Sequence, residues 1–376
     1  MSRLFTVYDD KEALNNVIDV LTMDVEEVFY VYHHDVSRHK FNDIRKVLKK
    51  HGKDQVHFLN LKNDLKQIQA LSAKYPDLII DVGGGKYLSL FLFEKFLDTE
   101  NQIIYYDNEE NVVKDYRTHT IIHEDVYKLS IEDVLKLRGA TIKESMHKSY
   151  TDKRTKEALI ATVDENMDDY ASFIRYISKL NSLLTKNSYK GNRTYILSSE
   201  AISKIKTDKC FKKSTHLFTI TDNKLTFKTE GLRQMVFISG AFLENYLYVK
   251  LKDSKKFDDV MMSVVIDFSE NKYKHPVNCE IDVLVLKDNK LLFISCKSSK
   301  IDTPDLNEIY VHDNVFGNVL SRPVLCVGEE INEKYPSVYA KSQQLDVYVM
   351  DKSSFKNGIV ETVESIYNNT YRYDRL

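Results

Sequence analysis

The chain has no tryptophan and only four cysteines among its 376 residues. Cys210, Cys279, Cys296 and Cys326 are widely spaced and form no CxxC pair, which argues against a zinc knuckle and a disulfide framework. No run of eighteen uncharged apolar residues occurs, so no membrane-spanning segment is expected. The start Met1-Ser2-Arg3-Leu4-Phe5 lacks a secretory pattern, and a reducing cytoplasm is the expected location. An excess of basic charge is also missing. A formal net charge of −2 excludes a nucleic-acid coat driven by overall field, so any nucleic-acid binding must rest on local patches. There is no internal repeat or low-complexity tract, and the length suggests about two domains.

The first half alternates apolar strand-like and amphipathic helix-like segments. Strands are predicted near Arg3 to Tyr8, Glu27 to Tyr32 and Gln55 to Asn60, with helices over Lys11 to Leu21 and Phe41 to Lys50. That alternation predicts a parallel, doubly wound α/β sheet whose ligands sit beyond the carboxyl ends of its strands. The next strand, Leu78-Ile79-Ile80-Asp81-Val82, runs into Gly83-Gly84-Gly85-Lys86 and an apolar helix. Glycines let backbone approach a ligand, and helix-start N–H groups beside a lysine favour a phosphate. Tyr8, Asp9 and Asp10, after the first strand, are expected on the same rim.

Between about Tyr150 and Arg233 the pattern is less regular. A charged helical stretch over Asp152 to Leu184 precedes a polar turn at Lys186 to Arg193 and a small hairpin over Leu217 to Lys228. The reading divides the chain at 1–148, 149–230 as a linker or hinge, and 231–376.

In the second half, Ile281, Val283 and Val285 lead to a Lys287-Asp288-Asn289-Lys290 turn, after which Leu291 to Ile294 resume. Two strands joined by such a turn form a hairpin. Residues two apart share a face, so Glu280 and Asp282 are expected to point together, as are Ser295 and Lys297. Acidic oxygens suit Mg²⁺ or Mn²⁺, which can neutralise charge on a scissile phosphate, and an adjacent lysine can orient the nucleophile. Upstream, Phe237 to Leu247 reads as a helix carrying Glu244. Downstream, a helix over Pro304 to Val315, a strand over Arg322 to Val327, a helix over Tyr335 to Gln344 and a strand over Leu345 to Met350 are predicted.

This order resembles the restriction-endonuclease-like core of PD-(D/E)xK nucleases. Asp282 matches the motif aspartate and Lys297 the lysine. Where the pattern has an acid two residues before the lysine, this chain has Ser295. The resemblance implies a metal held by Asp282 with Glu244 or Glu280, the Cys296 carbonyl being a further ligand. Gly84-Gly85-Lys86, the helix Ile131 to Leu137 ending in Gly139-Ala140, Gly240-Ala241-Phe242-Leu243-Glu244 and Asn278-Cys279-Glu280-Ile281-Asp282-Val283 together resemble the CARF family, in the branch that fuses a Rossmann-like CARF domain to such a nuclease. That resemblance implies a homodimer in type III CRISPR defence. Its CARF pocket, at Tyr8, Asp9, Asp10 and Gly83 to Lys86, would bind a cyclic oligoadenylate, most simply cyclic tetraadenylate, as allosteric activator of metal-dependent cleavage of DNA, RNA or both. Two alternatives accompany it. One is a binding-only regulator made inert by Ser295; the other is an S-adenosylmethionine-dependent methyltransferase using Asp81 and Asp107, although Tyr87 stands where that motif has a glycine.

Overall fold

The computed structural model describes residues 2–9, 13–33, 36, 38–64, 66, 70–71, 74–84, 100–145, 152–267, 278–298, 301–316 and 321–368. Asp10, Gly85 and Lys86 lie outside the described residues, as does the helix expected after the glycine turn.

The N-terminal unit is built on β1 (Arg3–Val7), β2 (Glu27–Tyr32), β3 (Gln55–Asn60), β4 (Ile79–Asp81), β5 (Ile103–Asp107), β6 (Val112–Asp115) and β7 (Ile121–His123), in the spatial order β3-β2-β1-β4-β5-β6-β7. The first five are parallel and the last two antiparallel. Helices α1 (Ala13–Thr22), α2 (Arg38–Lys50) and α3 (Ile131–Leu137) pack near it. The α3 helix starts on a capping box in which the Ser130 hydroxyl accepts the Asp133 N–H and the Asp133 carboxylate reaches back to the Ser130 N–H. The α/β sheet is the one the alternating pattern predicted, except that the chain after β5 turns back on itself.

The second sheet has the order β17-β16-β15-β14-β13-β8, from β8 (Thr141–Glu144), β13 (Asp259–Asp267), β14 (Asn278–Lys287), β15 (Lys290–Lys297), β16 (Arg322–Val327) and β17 (Tyr348–Met350). The hairpin turn is Asp288-Asn289, both with left-handed backbone (φ 51° and 58°), as a two-residue turn that matches strand twist requires. Side chains of β14 and β15 alternate between two cores. Val283, Val285, Leu292 and Ile294 face a core with the central helices, whereas Leu284, Leu286, Leu291 and Phe293 share a core with Leu4, Val28 and Ile104 of the N-terminal unit. The nuclease-like sheet is therefore buried on both faces, which explains its nearly continuous apolar strands.

The stretch read as a linker holds α4 (Lys153–Asn166), α5 (Tyr170–Thr185), α6 (Ser199–Lys206) and a small sheet ordered β11-β12-β10-β9, from β9 (Ser188–Tyr189), β10 (Thr194–Ile196), β11 (Phe218–Thr221) and β12 (Lys224–Phe227). Leu159, Phe173, Leu180, Phe218 and Phe227 are buried here in one cluster with Val283, Leu292 and Ile294. Then follow α7 (Glu230–Phe237), α8 (Ala241–Ser254), α9 (Thr303–Phe316), α10 (Ile331–Lys334), α11 (Pro336–Leu345), α12 (Lys352–Asn357) and α13 (Ile359–Tyr367). No described helix is long and apolar enough to cross a membrane.

Candidate active site

The expected residues Asp282, Ser295, Cys296 and Lys297 meet at the carboxyl end of β15, where its pairing with β14 gives out. Asp282 Oδ2 accepts the Cys296 N–H at 2.7 Å and the Ser295 hydroxyl at 3.2 Å. Lys297 Nζ lies 3.1 Å from Asp305 Oδ1 at the start of α9. Burial works against the Lys297 charge, but the ion pair with Asp305 and the Asp282 charge hold it above the ordinary lysine range. The ammonium is thus kept protonated at the mouth of the cleft.

Period-two alternation does not survive intact at this point. Between the register pairs Met262↔Val283 and Val264↔Ile281 lies Ser263, whose backbone is left-handed (φ 46°). Val260 and Met262 pack in the central core, whereas Val264 and Ile266 pack in the N-terminal one; Val283 and Ile281 divide the same way. The facing of both strands changes across the level of Asp282. Left-handed backbone at a non-glycine residue costs free energy and marks places where a strand is re-aimed.

Glu244 comes from the first turn of α8, whose N-cap is Gly240 (φ 83°). A methyl group on Gly240 would collide with Glu244 Oε1, so the carboxylate folds back into space that only glycine leaves open. Burial first, then the charges of Asp282 and Glu280, push Glu244 up to about 8 against the opposing effect of Lys297. Asp282 is likewise raised, chiefly by burial, although the Cys296 N–H and Lys297 favour its ionised form. Carboxylates crowded in a poorly solvated place are short of positive charge.

The cleft itself, of about 50 Å³, is lined by Glu280, Asp282, Ser295, Lys297, Glu308 and His312, among others. Sequence reasoning missed Glu308 and His312. Their spacing of four on a helix puts them on one face of α9, and that pattern was available in the sequence. Burial lowers the His312 pKa despite Glu308 nearby. Among the described residues, no group of three or more His, Cys, Asp or Glu side chains is arranged to hold a metal. By donor type, the carboxylates of Asp282, Glu244 and Glu280 fit a hard divalent cation, and their mutual repulsion is what such an ion would relieve. Cys296 is a buried free thiol, as is its register neighbour Cys326; its amide orients Asp282.

At the other candidate site, Tyr8 is buried with its ring edge-on to Phe41 at 5.3 Å, while Asp9 is half-buried at the rim. Gly83 and Gly84 follow β4 at the sheet's carboxyl edge. Asp81 is 1% exposed and takes three donors, from Thr6, Asn16 and Gly83, and Asp107 pairs with Lys114 at 2.8 Å. Asp81 is thus fully engaged inside the unit, whereas Asp107 stays partly exposed beside its lysine.

The fold is that of a Rossmann-like unit joined to a restriction-endonuclease-like unit, the architecture that the sequence resemblance implied. Residues 232–323 match the model of the Card1-like endonuclease domain, a span that includes Gly240, Glu244, Asp282 and Lys297. Protein VC1899 from Vibrio cholerae is similar over the whole chain, with a TM-score of 0.78 at 14% identity, covering 98% of this chain and 99% of that one. Can2 from Sulfobacillus thermosulfidooxidans, solved in complex with cyclic tetra-adenylate, superposes with a TM-score of 0.72 at 15% identity, covering 98% and 100%. At these identities the likeness is one of fold. No curated protein matches the chain.

Proposed function

We propose that this protein is a nuclease of type III CRISPR antiviral defence, switched on by a cyclic oligoadenylate and hydrolysing phosphodiester bonds of DNA, RNA or both. The observation that carries the reading is that Asp282 and Lys297 line one cleft, with Glu244 near enough to feel both charges, inside the segment that matches the Card1-like endonuclease domain. Asp282, with Glu244 or Glu280 and the Cys296 carbonyl, would hold Mg²⁺ or Mn²⁺, which supplies charge neutralisation at the phosphate and a more acidic bound water. The Cys296 amide fixes the Asp282 carboxylate, and Lys297, steadied by Asp305, offers a cation to the developing negative charge. Glu308 and His312 face the same cleft and can hold or move a proton there.

The activator is assigned to the rim formed by Asp9 and the glycine turn, with Asp10 and Lys86 as the family pattern implies. Cyclic tetraadenylate has two-fold symmetry, which suits a homodimer with an isologous interface. The ligand acts by binding the active arrangement more tightly than the inactive one. Ser295 supports a second reading, a sensor without cleavage, because a neutral hydroxyl stands where the family pattern has an acid.

The test is cleavage of supercoiled plasmid, labelled single-stranded DNA and labelled RNA with Mn²⁺, with and without cyclic tetra- and hexaadenylate. Cutting that requires the cyclic oligoadenylate and vanishes in Asp282→Ala supports the nuclease. Binding without cutting under every condition supports the sensor.

A further inference from the structure

A sealed polar cluster lies beneath the glycine turn of the N-terminal sheet. Thr6, Asn16, Asp19 and Tyr30 are 0% exposed and Asp81 is 1% exposed. Asp81 Oδ1 accepts the Gly83 N–H at 2.7 Å, and Oδ2 accepts the Thr6 hydroxyl at 2.7 Å and the Asn16 amide at 2.8 Å. Asn16 Nδ2 also reaches Thr6 Oγ1 at 2.6 Å. Neither oxygen of Asp19 meets a well-formed donor; the groups it faces are the Asp81 carboxylate and the backbone N–H of Tyr106, which favours the ionised form more weakly than burial and Asp81 oppose it. Tyr30 from β2 and Tyr106 from β5 are the other titratable groups turned toward this pair.

The turn rests directly on these groups. A methyl on Gly83 would sit 3.0 Å from Asp81 Oδ1 and 3.4 Å from Asp19 Oδ2; one on Gly84 would sit 2.7 Å from Asn16 Nδ2 and strike the Val7 carbonyl. Two carboxylates sealed together cannot both be ionised without uncompensated repulsion and desolvation. Burial, then the Asp81 charge, pushes Asp19 well above the carboxylate range, so the proton of the pair resides on Asp19. Asp81 keeps its three donors, Gly83 among them.

We propose that Asp19, acting through Asp81, is a positioning residue for the glycine turn: one proton held by the pair keeps the Gly83–Gly84 backbone seated where an anionic ligand is received. The inference rests on the reading that this turn contributes to the cyclic oligoadenylate site. Removing the proton forces the carboxylates apart and unseats the turn.

The experiment follows cyclic tetraadenylate affinity by calorimetry and hydrogen exchange of the peptide spanning the turn, from about pH 6 upward to the alkaline limit of the folded state, for the full-length protein and Asp19→Asn. An asparagine can donate to Asp81 and does not titrate. The expected result is that wild-type affinity falls by about tenfold or more toward alkaline pH, with exchange of the turn rising beyond the intrinsic trend, while Asp19→Asn flattens both profiles and leaves affinity at pH 6 unchanged. Parallel pH profiles in the two proteins, or an equal loss of affinity at every pH in the variant, would overturn the proposal. If the wild type binds no cyclic tetraadenylate at any pH, the ligand assignment fails instead, and the exchange profiles alone still decide whether the pair seats the turn.

Discussion

Replacing Gly240 with alanine separates the placing of Glu244 from the general stability of the fold. Gly240 caps α8 with φ 83°, and an alanine there adopts left-handed backbone at a cost of about 1–2 kcal/mol. Its methyl also takes the space of Glu244 Oε1. The side chain is flexible, so the clash is relieved by swinging the carboxylate away from Asp282. In a unit of this size each kcal/mol lowers the melting midpoint by roughly 2–4 °C. Displacing a group that orients a reacting centre costs about 10–100-fold in activity. Gly358 provides the matched control: it precedes α13 with φ 100°, its methyl would strike Glu361 Oε2, and Glu361 lies beside Lys256, whereas Glu244 feels the charges of Asp282 and Lys297. Gly358→Ala is expected to lower the melting midpoint at least as much while leaving kcat unchanged per folded molecule. Melting both variants and assaying cleavage well below their midpoints makes the comparison. If Gly240→Ala retains full kcat, or if both variants lose it equally, the claim that Gly240 places Glu244 is refuted.

Ser295→Ala removes a single hydroxyl donor to Asp282 while the Cys296 N–H remains, so a loss of about 0.5–1.5 kcal/mol of stability and little loss of cleavage is expected; denaturant melts and plasmid nicking check it, and abolished nicking would make Ser295 essential. Lys297→Ala should remove cleavage without unfolding the protein, because Lys297 and its partner Asp305 are both only half-buried and the unpaired carboxylate can still reach water; circular dichroism with a nicking assay reads both. Asn289→Gly keeps the hairpin turn but loses the bonds Asn289 makes to Leu129 and Tyr127, so activation by the ligand should fall while ligand affinity stays constant. Burial alone would raise the Asp133 pKa, but Lys50, Ser130 and His51 together hold it below the ordinary range. Its contribution to stability is therefore present above the unfolded carboxylate pKa and lost as pH falls through the folded value, so Asp133→Asn should flatten the acid limb of a stability-versus-pH curve.

Alternation of strand and helix signals made the first sheet legible, because each β1 to β5 strand buries a short apolar run and each helix an amphipathic face. The hairpin was legible for a different reason, since Asp288-Asn289 accepts the left-handed backbone that a two-residue turn demands. Glu308 and His312 escaped notice because a helix face gains meaning only once it is docked against a strand end. Between 152 and 227 the helical stretch from Asp152 and the hairpin at Leu217 to Lys228 were legible, but their packing was not, since their apolar residues complete a core with strands more than fifty residues downstream.

The sequence by itself determined the two α/β units, their order, and the acids and lysine on which a nuclease site would rest, because these depend on local propensity, periodicity and short motifs. Only the tertiary structure decided which of those groups meet. The reversal of facing at Ser263, the space that Gly240 leaves for Glu244, and the Asp19–Asp81 pair beneath the glycine turn all arise from contacts between segments far apart in the chain. Charge, burial and proton placement belong to such contacts, and no single segment encodes them.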